Sequence, residues 1–214
     1  MRYTKLNFLF LSLILLFSCK QETLEEQADK IHDEIVSVDT HTDTPLNFLD
    51  DDFDIGVWND FENSRSRVDF PRMRAGKLDG VFMAVFVGQG ERTEEGNLRA
   101  KERALEIFNA LHGKIELYPE MAEIGTKADD IYRIKKEGKS TVYIGVENGY
   151  PIGGDLGMIK EFYDLGARYI TLCHTRNNDI CDSSTDKNGP EHGGLSAFGE
   201  EVVKEMNKIG MIVD

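Results

Sequence analysis

The chain has 214 residues, of which 40% are hydrophobic and 30% charged, and its formal net charge is −14. A chain of this length and apolar content can bury a substantial core, so we expect a globular protein. Its acidity argues against nucleic acid and anionic lipid as partners selected by charge, because both carry negative charge themselves. No nucleic-acid binding is therefore predicted.

Residues 1–19 differ in character from the rest of the chain. Arg2 and Lys5 precede an apolar-rich stretch, residues 6–17, which is too short to span a bilayer comfortably and is typical of a secretory signal. The stretch LFSC, which ends at Cys19, resembles the lipobox of bacterial lipoproteins and implies that Cys19 becomes the acylated first residue. We therefore expect export to the bacterial cell envelope and attachment to the membrane by acyl chains. The alternative is an ordinary signal peptide with an incidental cysteine.

The next segment, residues 20–34, is predicted to be a polar tether followed by an N-terminal helix, since Leu24, Ala28 and Ile31 share one helical face. Five strand-like apolar runs then occur at long intervals: Ile35–Val38, Gly80–Val87, Thr141–Val146, Ala167–Cys173 and Met211–Val213. Helix-like segments separate most of them: Asn97–Leu117, Asp129–Glu137, Met158–Leu165 and Phe198–Ile209. Apolar strands that alternate with helices predict parallel βαβ units.

The stretch SVDTHTDTP directly follows the first apolar run and contains a histidine two positions before an aspartate, His41 and Asp43. If the strand continues that far, both side chains point the same way and can reach one cation. Asp39 is predicted to orient His41 as a hydrogen-bond acceptor. Taken alone, the motif is more typical of polar surface residues at a strand end than of a metal site.

Two later strand-like runs also end in residues that bind metals. Glu147 follows the third run and His174 follows the fourth. Carboxylate oxygens and imidazole nitrogens are suited to zinc, so the recurrence favours a metal-dependent hydrolase. The other histidines, His32, His112 and His192, are predicted to be structural or solvated. For Cys173 and Cys181, a disulfide and two free thiols both remain open.

Several blocks together resemble the membrane (renal-type) dipeptidases, which are zinc-dependent TIM-barrel enzymes of the amidohydrolase-like group. The matching blocks are VDTHTDTP, RVDFPRMRAGKLDGVFMAVFV, GVENGYPIG, GARYITLCHTRNNDICDSS and HGGLSAFGEEVVKEMNKIGMIVD. They occur in family order across residues 35–214. The resemblance implies that His41 and Asp43 bind a first zinc, that Glu147 bridges two zinc ions, and that His174 contacts a dipeptide substrate and stabilises the oxyanion.

The resemblance is incomplete at its C-terminal end. In the family, the segment that corresponds to GMIVD continues into further zinc-binding histidines and into substrate-binding residues that this sequence does not match. About five strands are predicted here, whereas the barrel has eight. We therefore expect an α/β fold that forms an incomplete (β/α)8 TIM barrel, the N-terminal portion of a dipeptidase, with weak or no activity on its own. A homodimer is compatible with the sequence.

Two other interpretations remain open. One is a non-catalytic lipoprotein that uses part of the barrel as a binding module. The other is a different amide hydrolase on the same scaffold.

Overall fold

The computed structural model describes residues 22–64 and 66–214, so the predicted signal segment and Cys19 lie outside the described residues. The chain divides into two compact units, one that ends at Glu34 and one that comprises Ile35–Asp214. Helix α1 (Leu24–Glu34) belongs to the first unit, and none of its residues is buried. Within the described ranges, no helix has the length and apolar character needed to cross a membrane.

The second unit is built on one parallel sheet. Its described strands are β1 (Val38–Thr42), β2 (Gly80–Phe86), β3 (Ala122–Ile124), β4 (Ser140–Glu147), β5 (Ala167–Thr171) and β6 (Ile212–Val213). Five of them follow the order β1-β2-β4-β5-β6 and curl into a half-barrel, while β3 pairs with β4. The β4 strand is the centre of the sheet, because β2 pairs along one edge and β3 and β5 share the other.

Helices and short 3-10 segments connect the strands. The helices are α2 (Phe61–Ser64), α3 (Phe70–Ala75), α4 (Glu94–Glu116), α5 (Asp130–Lys136), α6 (Gly157–Asp164) and α7 (Ala197–Ile209). The buried face of α4 carries Phe108, whose ring stacks on Phe162 of α6 with a centroid separation of 5.6 Å. All residues of β4 up to Val146 are buried. This apolar layer fixes the strand ends that carry the polar site residues.

The predicted parallel α/β organisation is confirmed, with differences at two strands. The first strand was predicted at Ile35–Val38 but lies at Val38–Thr42, where the sequence VDTHT is largely exposed and gives no apolar run. Strand β3 was missed because three residues are too few to show a periodic pattern. Helices α4 to α7 all lie within a few residues of their predicted positions. The helix that ends at Ile209 is capped by Gly210 at φ 80°, as expected for a left-handed C-cap.

Candidate metal centre

Four polar side chains meet at the carboxyl ends of the parallel strands. His41 lies in β1, Asp43 follows β1 directly, Glu147 is the last residue of β4, and His174 follows β5 by three positions. Carboxyl ends of neighbouring parallel strands lie at the same edge of the sheet, which is why residues distant in sequence come together here. The edge therefore assembles all four residues predicted from the strand ends.

The ligand atoms of three of these residues converge. His41, Asp43 and Glu147 each offer one atom, and these atoms lie within 4.8 Å of one another. His41 Nε2 is 3.5 Å from Asp43 Oδ1 and 3.3 Å from Glu147 Oε2. The other carboxylate oxygen of Glu147, Oε1, faces His174 Nε2 at 3.3 Å. Glu147 thus stands between two imidazoles, with one oxygen directed at each.

Burial is unequal across the site. The side chain of Glu147 is 14% exposed, against 58% for Asp43 and 41% for His41. Burial raises the pKa of Glu147, while the attraction of His41 opposes this shift and the repulsion of Asp43 adds to it. A cation bound here would remove much of the cost of keeping this carboxylate charged.

The contact predicted for Asp39 is not the one observed. Asp39 Oδ1 accepts a hydrogen bond from the main-chain N–H of His41 at 3.1 Å, so its carboxylate turns back onto its own strand. The ring nitrogen Nδ1 of His41 instead lies 3.1 Å from the hydroxyl of Tyr169 in β5. Burial, together with the charges of Glu147 and Asp214, raises the pKa of Tyr169, so its hydroxyl stays protonated.

His174 is held from its ring and from its main chain. The ring packs edge to face against Phe86, the last residue of β2, with a centroid separation of 5.0 Å. Its carbonyl accepts a hydrogen bond from Ser183 Oγ at 2.6 Å. The imidazole remains 39% exposed, which leaves it accessible to a substrate. Neither Phe86 nor Tyr169 was identified as a site residue from the sequence, because both lie inside apolar runs that are typical of buried strands.

The loop that follows His174 is ordered by one carboxylate. Asp182 accepts hydrogen bonds from four consecutive main-chain N–H groups at 2.7 to 2.9 Å, those of Glu191, His192, Gly193 and Gly194. Desolvation alone would raise the pKa of Asp182, but these bonds outweigh it and lower the pKa to about 2. Arg92, which precedes α4, is 2.7 Å from Glu191 and joins this loop to the neighbouring one.

The residues assigned no chemistry have structural environments. His112 Nε2 is 2.8 Å from the carbonyl of Leu165, and His192 Nε2 is 3.0 Å from the carbonyl of Asn178. Cys173 and Cys181 are free thiols. Burial and a hydrogen bond with Cys173 raise the pKa of Cys181 to about 12, so this thiol is chemically inert at neutral pH.

The donor set fits a zinc ion. One imidazole and two carboxylates supply the nitrogen and oxygen atoms that catalytic zinc sites use, and such sites keep a position open for water or substrate. Asp43 is 58% exposed, so solvent or substrate can approach on its side, while Glu147, at 14% exposed, supplies a charge with little competing solvent. The three residues therefore form a candidate metal-binding triad.

Comparison with known proteins finds a family and several relatives that are similar to this chain. Residues 25–214 match the family described as membrane dipeptidase (peptidase family M19). The chain is 33% identical to the dipeptidase verJ of Clonostachys rogersoniana over 199 residues, which cover 88% of this chain and 50% of that protein. It is 30% identical to dipeptidase 3 of Mus musculus over 198 residues, or 89% of this chain and 38% of that protein.

Solved structures show the same fold. The probable dipeptidase PvdM from Pseudomonas aeruginosa superimposes with a TM-score of 0.76 at 26% identity, over 88% of this chain and 48% of that chain. A metallo peptidase from Rhodobacter sphaeroides, liganded with a phosphinate mimic of the dipeptide L-Ala-D-Ala, gives a TM-score of 0.70 at 19% identity, over 84% of this chain and 58% of that chain.

The predicted incomplete TIM barrel is therefore confirmed, since the half-barrel matches the N-terminal part of these folds. The chain spans half or less of the length of the curated relatives described above. On the family match across residues 25–214, this chain belongs to the membrane dipeptidase family.

Proposed function

We propose that the protein to which this chain belongs is a zinc-dependent dipeptidase, and that His41, Asp43 and Glu147 hold one of its zinc ions. The observation that carries the proposal is the convergence of these three ligand atoms within 4.8 Å at the carboxyl ends of β1 and β4. Membership of a dipeptidase family supplies the reaction class. The dipeptide mimic bound by the Rhodobacter sphaeroides relative supports the substrate class.

Both carboxylate oxygens of Glu147 are directed at other residues of the site. Its two oxygens face different imidazoles, His41 on one side and His174 on the other, each at 3.3 Å. When bound, zinc supplies a Lewis acid that polarises the scissile carbonyl and makes water nucleophilic near neutral pH. The residues of this chain fix the position of that chemistry, because Glu147 is the last residue of the central strand and its side chain is only 14% exposed.

His174 is proposed to contact the substrate. Its imidazole is exposed on the same edge as the three ligands and is held from behind by Phe86. A donor in this position can stabilise the negative charge that develops on the carbonyl oxygen during hydrolysis. Removal of one such donor typically costs about 100- to 1,000-fold in kcat, which sets the loss expected for His174→Ala.

The test is hydrolysis of dipeptides by the protein that contains this chain, measured with and without a chelator. Activity is expected on free dipeptides but not on longer peptides or cyclic amides, with loss on chelation and recovery on zinc addition. His41→Ala should abolish it, whereas the control His32→Ala, on the separate helix α1, should leave it unchanged. Turnover that survives chelation, or that is unaffected by His41→Ala, would refute the proposal.

The proposal includes lipid attachment at Cys19 and location in the bacterial cell envelope on the exported side. It is supported by the charged start, the short apolar stretch and the LFSC sequence of residues 1–19. Labelling of growing cells with a radioactive fatty acid should mark the wild-type protein but not Cys19→Ala. Equal labelling of wild type and Cys19→Ala would show that the lipid is attached at a residue other than Cys19.

A further inference from the structure

Two irregularities in the sheet bring His41 and Tyr169 face to face. In β1, the register with β2 shifts between Asp39 and Thr42, so His41 lies within a bulge. In β5, Ala167 pairs with Ile144 of β4, and Tyr169 pairs with the next residue, Gly145, so the register shifts directly before Tyr169. Bulges re-aim the side chains that they contain or precede, and they are frequent beside active sites. Here they aim a phenol at an imidazole.

The ring of Tyr169 is locked in place. Tyr169 is 7% exposed, and its ring lies 5.3 Å from that of Phe82. Gly145, its register partner in β4, has no side chain, and a Cβ built there would lie 2.0 Å from the ring carbon Cζ of Tyr169. Only glycine leaves room for the ring at this point. The hydroxyl is therefore delivered to a fixed position, 3.1 Å from His41 Nδ1.

The two nitrogens of His41 face different groups. Nε2 faces the carboxylates of Asp43 and Glu147, so Nε2 is the nitrogen available to a cation, and Nδ1 is left to Tyr169. A hydroxyl both donates and accepts hydrogen bonds. It can donate to Nδ1 when the proton is on Nε2, and accept from Nδ1–H when Nε2 binds a cation. A carboxylate at this position could only accept.

We propose that Tyr169 is the positioning residue of the metal centre, fixing the ring orientation of His41 and accommodating both of its neutral tautomers. The inference rests on the proposed function as far as zinc is concerned, but the contact itself is a property of the metal-free protein. Partners that orient a ligating histidine are worth about 10- to 100-fold in metal affinity. The structure assigns that role to a tyrosine of β5.

The competing explanation is that Tyr169 merely fills the interior of the half-barrel. Tyr143 provides the matched control, because it is buried to a similar degree, at 6% exposed, and stacks on the same Phe82 at 4.9 Å. Its hydroxyl bonds the carbonyl of Lys127 at 3.1 Å, away from His41. Tyr169→Phe and Tyr143→Phe therefore each remove one buried hydroxyl from the same aromatic cluster, but only the first removes a contact to the candidate ligand.

Two measurements on the full chain separate these explanations. The first is nitrogen NMR of metal-free protein labelled at the imidazole nitrogens, with the His41 signals assigned by comparison with His41→Gln. The second is zinc affinity, measured by competition with a chromophoric chelator. Circular dichroism and thermal melting check that both tyrosine variants are folded.

Tyr169→Phe should move the Nδ1 signal of His41 and weaken zinc binding about 10- to 100-fold, whereas Tyr143→Phe should do neither. An unmoved Nδ1 signal, or equal zinc affinity in Tyr169→Phe and wild type, would overturn the inference. Wild-type protein that binds no zinc would refute the proposed metal centre instead. In that case a shift of Nδ1 confined to Tyr169→Phe would still support the positioning contact.

Discussion

The substitution Glu147→Gln separates the ligand role of this side chain from its structural role. The variant keeps nearly the same volume at the end of β4 but removes the charge that faces His41 and His174 at 3.3 Å. Because burial raises the pKa of Glu147 in the folded protein, its charged form costs stability once the pH rises above the ordinary value of the group. Metal-free Glu147→Gln should therefore be at least as stable as wild type at neutral pH.

The metal-bound protein should behave in the opposite way. At a zinc concentration of about 100 times Kd, binding stabilises the folded state by about 2.7 kcal/mol, which corresponds to a rise in Tm of roughly 5 to 11 °C for a domain of this size. Loss of one of three ligands should weaken binding by about 100-fold or more, at least as much as loss of an orienting partner. The same zinc concentration would then contribute about 0.4 kcal/mol, or roughly 1 to 2 °C.

The assay is thermal melting of both proteins, each with a chelator and with zinc. Glu161→Gln is the control, because Glu161 is a glutamate paired with Lys101 at 3.1 Å on the helical layer, outside the converging ligands. It should retain the full zinc-dependent rise in Tm. An equal rise in Glu147→Gln would refute the ligand assignment, and a large loss of metal-free stability would refute the argument from burial.

Three further predictions concern the surrounding fold. The pKa of Asp182 is lowered to about 2 in the folded protein, so this carboxylate contributes stability above its ordinary pKa, and that stability is lost as the pH falls through the folded value. In urea unfolding, Asp182→Asn should therefore be less stable than wild type at neutral pH and should lose less stability on acidification. Asp69 is fully buried, caps α3, and its Oδ2 lies 2.6 Å from Arg72 Nε. Asp69→Asn keeps a capping oxygen but breaks this ion pair, so it should lower the free energy of unfolding in urea by about 2 to 4 kcal/mol. The pKa of Cys181 is raised to about 12, so only about one Cys181 thiol in 10,000 is ionised near pH 8. Iodoacetamide should therefore alkylate Cys181 only after the protein is unfolded, as measured by mass spectrometry.

Each of these outcomes can fail independently. An Asp182→Asn variant with unchanged stability at neutral pH would show that the four hydrogen bonds to this carboxylate contribute nothing net. Thr93→Ala, which removes only the cap of α4, should cost about 1 kcal/mol; a smaller loss in Asp69→Asn would contradict the ion-pair argument. Rapid alkylation of Cys181 in the folded protein would contradict its burial.

The sequence locates the four residues that meet at the candidate site more accurately than it locates the first strand. His41, Asp43, Glu147 and His174 were identifiable because each follows or ends a strand-like run, and parallel strands place such residues at one edge. The β1 strand was placed several residues too early, because its own sequence is largely exposed and polar. The residue type at the end of a strand thus predicts the candidate site better than apolar content predicts the bounds of a strand at the edge of the sheet.

The partner of His41 could not be predicted in the same way. Regular alternation places Asp39 and His41 on one face of β1, which suggested a contact between their side chains. The bulges in β1 and β5 change that geometry, so the ring of His41 contacts Tyr169, a residue distant in sequence, and not Asp39. A one-residue shift in register leaves no mark on composition or periodicity, so such contacts require the folded structure.

X-ray absorption at the zinc edge tests the central claim most directly. The assignment of His41, Asp43 and Glu147 predicts nitrogen and oxygen neighbours at about 2.0 to 2.2 Å, with imidazole scattering that decreases in His41→Ala. Sulfur neighbours at about 2.3 Å would instead place the metal on cysteine. That result, or imidazole scattering that survives His41→Ala unchanged, would contradict the proposed metal centre.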